Sequence, residues 1–357
     1  MLHPKDKMTP MQRLNGFLTG GEMDRILAMP LVVSMSGKCA GMTHREKRAC
    51  PENEAKCQIE AYKMFGNDLA VVEYGLHMVG VGLGGATNDP EDQTPAIIGY
   101  PMQEFEDLDK LDPSRLSIDN DPHLQHCIKA SQIIQDEIGD EIPVGVLITG
   151  PFTAATSCIS VEKVLLGMRR KPEELHKLLQ FTTDTLIGIY KEFIKIGVMI
   201  LHCEPLGSGT LLRREEYETF VLPYAKQVHD AIHDAGGMVC YHICGDTTKT
   251  VDLMATAGSD MISVDNVVDL AHVKNTAGQT KPIVGNVAPV DYFIMGSTED
   301  MKNAVKVCLQ KGWDSPNGYV LASGCDLSGE VKFENIPAFM DAAREYGKWP
   351  LDPKNFS

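Results

Sequence analysis

The chain has 357 residues, of which 43% are hydrophobic and 23% charged, and its formal net charge is −16 at pH 7. This acidic balance argues against nucleic acid and anionic membranes as partners, because both bind cationic surfaces. No apolar run approaches the roughly 18 residues that a membrane span needs, and the first residues lack the apolar stretch of a signal peptide. We therefore expect a cytoplasmic protein whose ten cysteines do not form disulfides.

Apolar runs alternate with amphipathic patterns along the chain. A helix is predicted over 8–18, where Thr9 can cap the first turn and Pro10 suits it. Eight strands are predicted, at 29–35, 69–73, 144–149, 198–203, 238–243, 261–264, 283–286 and 319–322. Helices are predicted between them, notably at 51–65, 123–137, 161–168, 172–194, 214–235, 298–311 and 335–346. This order predicts one α/β domain over 1–357, a parallel (β/α)8 TIM barrel with an N-terminal helical extension; a doubly wound sheet is the alternative.

A glycine-rich segment follows the second predicted strand, at 80–90. Its glycines do not fit the G-x-G-x-x-G pattern, and it runs into Asn88-Asp89-Pro90 rather than a helix. No helix N-terminus is then offered to a phosphate, which argues against a dinucleotide site. The segment is instead expected to be a mobile lid or a substrate-facing hairpin.

The fifth predicted strand ends in two residues that commonly bind metals. His242 and Cys244 are two positions apart, so they lie on one face of an extended strand at its carboxyl end. Imidazole and thiolate together suit zinc, and the alternative is a hydrogen-bonded core histidine. Cys325, which follows the eighth apolar run, is the expected third ligand, and Cys39 is a further candidate. Cys240 has the same parity as His242 but lies deeper, which predicts that it fills the barrel.

Other polar residues also follow the apolar runs, and the active site of a TIM barrel lies at the carboxyl ends of its strands. Three of them are expected to be catalytic: Glu73, His202 and Glu204. An ion pair or helix-cap contact is the alternative for the last two, and a structural acceptor is the alternative for Glu73. Cys203 has the opposite parity to His202 and is expected to face the helices. Pocket residues that bind substrate or support the site are expected at Ser36, Asp265 and Asn286.

Several motifs together resemble a known family. His242-Ile243-Cys244-Gly245, the later Gly324-Cys325 and the helix that begins near Asn335 resemble the zinc motif of corrinoid-dependent methyltransferases in the uroporphyrinogen decarboxylase superfamily. These include the methylcobalamin:coenzyme M methyltransferases. The segments 9–14, 150–153 and 284–287 also agree with the family, so the resemblance spans nearly the whole chain.

The resemblance implies that His242, Cys244 and Cys325 hold Zn²⁺ with an open fourth position. It also implies methyl transfer between a separate corrinoid (cobalamin) protein and a small methyl donor or acceptor, such as a thiol, that binds to the zinc. Uroporphyrinogen decarboxylation is disfavoured because the segment 34–39 has no arginine for porphyrin carboxylates.

The fourth strand differs from the family pattern at residues 202–205, which leaves the small substrate open. An O-demethylase that transfers methyl from methoxylated aromatics to a corrinoid protein is therefore the first alternative, and a decarboxylase-like enzyme is the second. A non-catalytic zinc barrel, with Glu204 or Cys39 as a fourth ligand, is a third. A homodimer is left open.

Overall fold

The computed structural model describes residues 2–357. Its strands are β1 Ala28–Met29, β2 Ala70–Gly75, β3 Ala86–Thr87, β4 Ile97–Gly99, β5 Val144–Thr149, β6 Met199–Cys203, β7 Val239–Ile243, β8 Met261–Val264, β9 Ile283–Val287 and β10 Tyr319–Ser323. Its α-helices are α1 Pro10–Thr19, α2 His44–Arg48, α3 Pro51–Phe65, α4 Met78–Gly82, α5 Pro122–Ile138, α6 Pro151–Cys158, α7 Val161–Arg170, α8 Pro172–Lys195, α9 Arg214–Phe220, α10 Leu222–Asp234, α11 Val251–Thr256, α12 Leu270–Asn275, α13 Thr298–Gly312 and α14 Asn335–Tyr346.

Eight strands form one parallel sheet in the order β1-β10-β9-β8-β7-β6-β5-β2. The first and second strands of the sequence are therefore the two ends of a sheet that curls into a TIM-barrel-like shape, with helices packed on its outer face. β3 and β4 form a separate antiparallel hairpin. The predicted α/β barrel is confirmed, and the doubly wound alternative is wrong.

The seam between β1 and β2 is held by Asp68. Its backbone N–H donates to the carbonyl of Ala28 at 3.1 Å, and its carboxylate accepts the N–H of Ala28 at 2.6 Å. The same carboxylate pairs with Arg13 on α1 and with Arg25, and all three charged side chains are buried. The N-terminal helix is thus attached at the amino end of the barrel by a buried ionic contact.

The main differences from the predicted elements occur at prolines. The first strand is only two residues long, because Pro30 has no N–H to continue the ladder. A 3₁₀ helix, Ser34–Ala40, takes the place of its predicted second half. The helix predicted over 214–235 is divided at Val221, just before Pro223, into α9 and α10. The glycine-rich segment forms α4 and the β3–β4 hairpin.

The apolar residues form two separate cores. The larger core lies between the sheet and its helices. The smaller core fills the inside of the barrel with side chains that include Leu27, Val71, Leu201, Cys240 and Val320. The predicted position of Cys240 inside the barrel is confirmed. Within the part of the chain that the structure describes, no helix is long and apolar enough to cross a membrane.

Candidate metal centre

Three side chains that are far apart in sequence converge above the inner core. The Nε2 atom of His242 lies 3.2 Å from Sγ of Cys244, and that sulfur lies 3.3 Å from Sγ of Cys325. All three ligand atoms lie within 4.8 Å of one another. His242 lies one residue before the end of β7, and Cys325 follows β10, so the curl of the sheet brings them together.

The other ring nitrogen of His242 is also held. Its Nδ1 atom lies 2.9 Å from the hydroxyl of Ser263 on the neighbouring strand β8. Nε2 then faces the two sulfur atoms, which is the arrangement of a metal-binding histidine oriented by a second residue. The turn after Cys244 is fixed as well, because Gly245 donates its N–H to Asp265 at 2.7 Å. Sequence reasoning missed Ser263, although its register opposite His242 was a usable signal.

The donor set fits zinc. Bonds of about 2.3 Å to sulfur and about 2.0 Å to nitrogen in a tetrahedron place ligand atoms roughly 3.5–3.8 Å apart, slightly farther than the separations given above. The hydrogen bond from the Cys244 thiol lowers the pKa of Cys325 to about 4, with a smaller contribution from His242. One sulfur is therefore already disposed to be a thiolate, which is the form that binds metal.

A cavity of about 490 Å³ opens beside this cluster. Its floor is the apolar inside of the barrel, with Met29, Leu147, Met199, Leu201 and Val284 among its lining residues. Residues 87–89, 94 and 95 of the β3–β4 hairpin line it too. The prediction that the glycine-rich segment faces the pocket as a hairpin therefore agrees with the structure.

The cavity wall next to β1 and β2 is polar. The predicted residue Glu73 lies on it, and Oε2 of Glu73 is 3.9 Å from both His44 Nε2 and Lys47 Nζ. Asp326, the residue after Cys325, lines the same cavity and accepts hydrogen bonds from Ser34. Sequence reasoning missed His44 and Lys47, which lie on a five-residue helix too short to show periodicity.

The predicted orientation of β6 is wrong. Cys203 lines the cavity, whereas His202 is fully buried on the helix side, with Nδ1 2.8 Å from Nε2 of His229 on α10. The register explains this, because Cys203 pairs with His242 in the parallel ladder and both point inward. Glu204 also lies outside the cavity lining and accepts the N–H groups of Phe152 and Thr153 at the start of α6. Neither His202 nor Glu204 is among the residues that line the cavity, and Glu204 caps the start of α6.

The three residues predicted to bind substrate or support the site make hydrogen bonds within the protein. The buried Ser36 hydroxyl donates to the carbonyl of Val33 within the 3₁₀ turn. The carboxylate of Asp265 accepts the N–H of Gly245, as described above. The Asn286 side chain donates to the carbonyls of Asp265 and Val268, and so ties the loop after β8 to β9. Asp265 therefore supports the turn after Cys244, Asn286 supports the loop after β8, and Ser36 is not among the residues that line the cavity.

The two residues considered as a fourth ligand lie elsewhere. Glu204 caps α6, and Cys39 packs in the outer core. Among residues 2–357, the group of histidine, cysteine and acidic side chains close enough to share an ion consists of His242, Cys244 and Cys325. The cluster therefore offers three ligands and leaves the cavity side free for a fourth.

Replacing Ser263 by alanine is expected to weaken zinc binding about 10- to 100-fold, because it removes the group that orients the His242 ring. The fold should be preserved, since the alanine leaves only a small gap beside the ring. Competition with a zinc chelator measures the dissociation constant. Ser259→Ala, at another buried serine away from the cluster, is the control, and equal affinities of both variants would contradict the orienting role.

Replacing Glu204 by glutamine is expected to change how stability depends on pH. Burial raises the pKa of Glu204 from 4.5 to about 7. The unfolded carboxyl ionises first, so the wild type should lose stability relative to the variant as pH rises from about 4.5 through 7, by about 3 kcal/mol in total. Urea unfolding of both proteins from pH 4.5 to 8 measures this difference. The exposed control Glu106→Gln should give a curve of stability against pH that runs parallel to that of the wild type. A parallel curve for Glu204→Gln would contradict the prediction.

A TIM-barrel-like α/β fold with a Cys₂His cluster open to a cavity at the carboxyl ends of its strands defines a candidate metal-dependent barrel enzyme. Residues 9–346 match the family model described as uroporphyrinogen decarboxylase (URO-D). The chain belongs to this family.

Similar proteins from Methanosarcina mazei cover nearly the whole chain. The methylcobamide:CoM methyltransferase MtbA is 28% identical over 95% of this chain and 98% of its own. A methylated-thiol–coenzyme M methyltransferase is 24% identical over 95% of this chain and 90% of its own. A uroporphyrinogen decarboxylase from Carboxydothermus hydrogenoformans is 25% identical over 83% of both chains. The predicted resemblance to the methyltransferase branch is confirmed.

A solved structure titled as a methyltransferase from Methanosarcina mazei has the same fold, with a TM-score of 0.82 and 21% sequence identity over 95% of this chain and 99% of its own. The two Methanosarcina mazei relatives above match the chain over nine-tenths or more of both lengths, and both are named as methyltransferases. The prediction of an enzyme of the methyltransferase class is confirmed.

Proposed function

We propose that this protein is a zinc-dependent methyltransferase that moves a methyl group between a corrinoid protein and a small thiol. The observation that carries the proposal is the cluster of His242, Cys244 and Cys325, with its free side turned to the cavity. The names of the similar proteins support it, because they combine a methylated cobamide with a thiol acceptor.

The protein supplies the ligands and the surroundings of the reaction. His242, Cys244 and Cys325 would hold zinc, and Ser263 orients the imidazole. Zinc at an open thiolate-rich site lowers the pKa of a thiol that binds to it, so that the thiol reacts as thiolate near neutral pH. The apolar floor of Leu201, Val284 and their neighbours limits the water around the reacting sulfur, which strengthens its nucleophilicity.

The corrinoid of the partner protein would supply the methyl group: the methyl carbon would bond to the substrate sulfur as its bond to cobalt broke, and the electron pair of that bond would remain with the corrinoid. The corrinoid provides this carbon–metal chemistry, and the barrel provides position. The partner protein would approach over the carboxyl ends of the strands, where the cavity opens. The same geometry serves the reverse direction, in which a methylated substrate gives its methyl group to the reduced corrinoid.

An absorbance assay with free methylcobalamin tests the proposal. The zinc-loaded protein should convert methylcobalamin to the reduced cobalamin in the presence of small thiols, and elemental analysis should find about one zinc per chain. Removal of zinc with a chelator should abolish the reaction, and added zinc should restore it. Full turnover by the zinc-free protein would contradict the proposal.

The O-demethylase alternative retains one supporting observation, the apolar cavity floor, which suits an aromatic ring. Of the segment 202–205 that motivated it, Cys203 and Pro205 line the cavity, whereas His202 and Glu204 do not. Methyl transfer from methoxylated aromatics to reduced cobalamin, without transfer from methylcobalamin to any thiol, would favour this alternative.

A further inference from the structure

The imidazole of His44 carries a buried hydrogen-bond donor without a partner. Its Nδ1 atom lies 2.6 Å from Nη1 of Arg48, and a guanidinium can only donate, so Nδ1 is the acceptor. The proton of the neutral ring is then on Nε2. That atom has no hydrogen-bond partner among the described residues, although His44 is only 7% exposed and lines the cavity. Burial lowers the pKa of His44, which keeps the ring neutral.

Glu73 presents an acceptor next to this donor. Its Oε2 atom is 3.9 Å from His44 Nε2, which is too long for a hydrogen bond. Lys47 is equally far from Oε2 and instead donates to the carbonyl of Val33 at 2.9 Å. The Glu73 side chain is 19% exposed and that of Lys47 only 1%. The carboxylate therefore faces the cavity, and the ammonium lies behind it.

We propose that His44 and Glu73 form a subsite for an uncharged hydroxyl group of the substrate that binds at the zinc cluster. One hydroxyl oxygen can lie within hydrogen-bond distance of both atoms, accepting from His44 and donating to Glu73. The inference rests on the proposed function and narrows its substrate class to hydroxyl-bearing compounds.

Charged groups fit this pair less well. A carboxylate or sulfonate can accept from His44, but its negative charge would lie against the carboxylate of Glu73. An ammonium can donate to Glu73, but it leaves the buried N–H of His44 unpaired, which is unfavourable. The hydroxyl satisfies both protein groups without adding a charge.

The position of the pair suits a short substrate. Glu73 lies on β2, Cys325 follows β10, and β1 lies between them in the curled sheet. Both residues line the same cavity of about 490 Å³. A compound that binds zinc through sulfur can therefore reach the subsite with a chain of a few atoms.

A matched series of thiols tests the subsite by binding rather than by turnover. The protein is loaded with Co²⁺ in place of zinc, and its sulfur-to-cobalt absorption is titrated at one pH with 2-mercaptoethanol, 2-mercaptoethanesulfonate, 2-aminoethanethiol and ethanethiol. We expect 2-mercaptoethanol to bind at least about 10-fold more tightly than either charged thiol. The sulfonate would be repelled by Glu73, and the ammonium would leave the N–H of His44 unpaired.

Two variants and two controls complete the test. Glu73→Gln should reduce the discrimination against the sulfonate about 10-fold. His44→Phe should weaken binding of 2-mercaptoethanol about 10-fold and leave binding of ethanethiol unchanged. The controls are Glu104→Gln and His233→Phe, whose side chains are exposed and paired with Lys163 and Asp260 on the outer surface. Both should reproduce the wild-type constants.

Three results would overturn the subsite: equal or tighter binding of the sulfonate, equal or tighter binding of the ammonium thiol, or a wild-type binding pattern in both variants. If thiols change the cobalt absorption without any preference for the hydroxyl, only the subsite is refuted. If no thiol changes the absorption, the proposed function is refuted together with it.

Discussion

Replacement of Cys325 by serine is expected to abolish methyl transfer and to release the metal. Loss of a supporting residue costs about 10- to 100-fold in metal affinity, and loss of one of three direct ligands should cost more. Serine keeps the size of the side chain, but its hydroxyl is a poor substitute for the thiolate that zinc prefers. Elemental analysis after gel filtration and the methylcobalamin assay measure both effects, and Cys244→Ser should behave alike.

The matched control is Cys50→Ser. Cys50 is the residue before α3 and makes no side-chain capping bond there, and serine is favoured at such a position. This variant should keep wild-type zinc content, activity and thermal stability. Zinc content and turnover of Cys325→Ser that equal those of Cys50→Ser would show that the cluster is not the metal centre.

The sequence was sufficient to predict the barrel and the cluster of His242, Cys244 and Cys325. Long apolar runs separated by helical patterns are a strong signal, and the eight parallel strands lie close to their predicted positions. His242 and Cys244 are related by strand parity alone, which is local. The prediction of Cys325 also required the assumption that polar residues after different strands lie close together. The curl of the sheet brings Cys325 next to the other two residues.

Strand parity alone could not predict which side chains of β6 face the cavity. His202 and Cys203 are both polar enough to face either side, and the ladder register with β7 decides between them. On the helix side, His202 lies against the buried His229, and Glu204 caps the start of α6. The rule that polar strand ends face the pocket fails where the helix layer offers its own hydrogen-bond partners.

The His44–Glu73 wall depends on contacts between distant segments. Helix α2 is short, and the position of His44 relative to β2 is set by tertiary packing against α3 and the 3₁₀ helix at Ser34–Ala40. The hydrogen bond from Arg48 fixes which ring nitrogen is free. Neither fact has a signature in local sequence pattern, so this part of the cavity required the structure.

Replacement of Asp68 by asparagine is expected to destabilise the protein by about 3 kcal/mol, because it removes the carboxylate that pairs with both buried guanidinium groups, those of Arg13 and Arg25. The cost stays at the low end for a broken buried ion pair because Arg13 keeps its contact with Asp24 and Arg25 keeps its contact with Asp6. The amide also has one acceptor oxygen where the carboxylate has two, and the N–H of Ala28 requires one of them. Urea unfolding followed by circular dichroism measures the change in free energy, and the melting temperature should fall in parallel.

The control for this prediction is Asp252→Asn. Asp252 pairs with Arg214 on the surface, where both side chains are well exposed, so its loss should cost at most about 1 kcal/mol. Each variant removes one carboxylate that pairs with arginine. The difference between the two losses of stability therefore measures the effect of burial. A loss at Asp68 no larger than the loss at Asp252 would mean that the seam between β1 and β2 is held by the backbone and the apolar cores alone. A larger loss would show that the buried ionic contact at the amino end of the barrel contributes to holding β1 and β2 together.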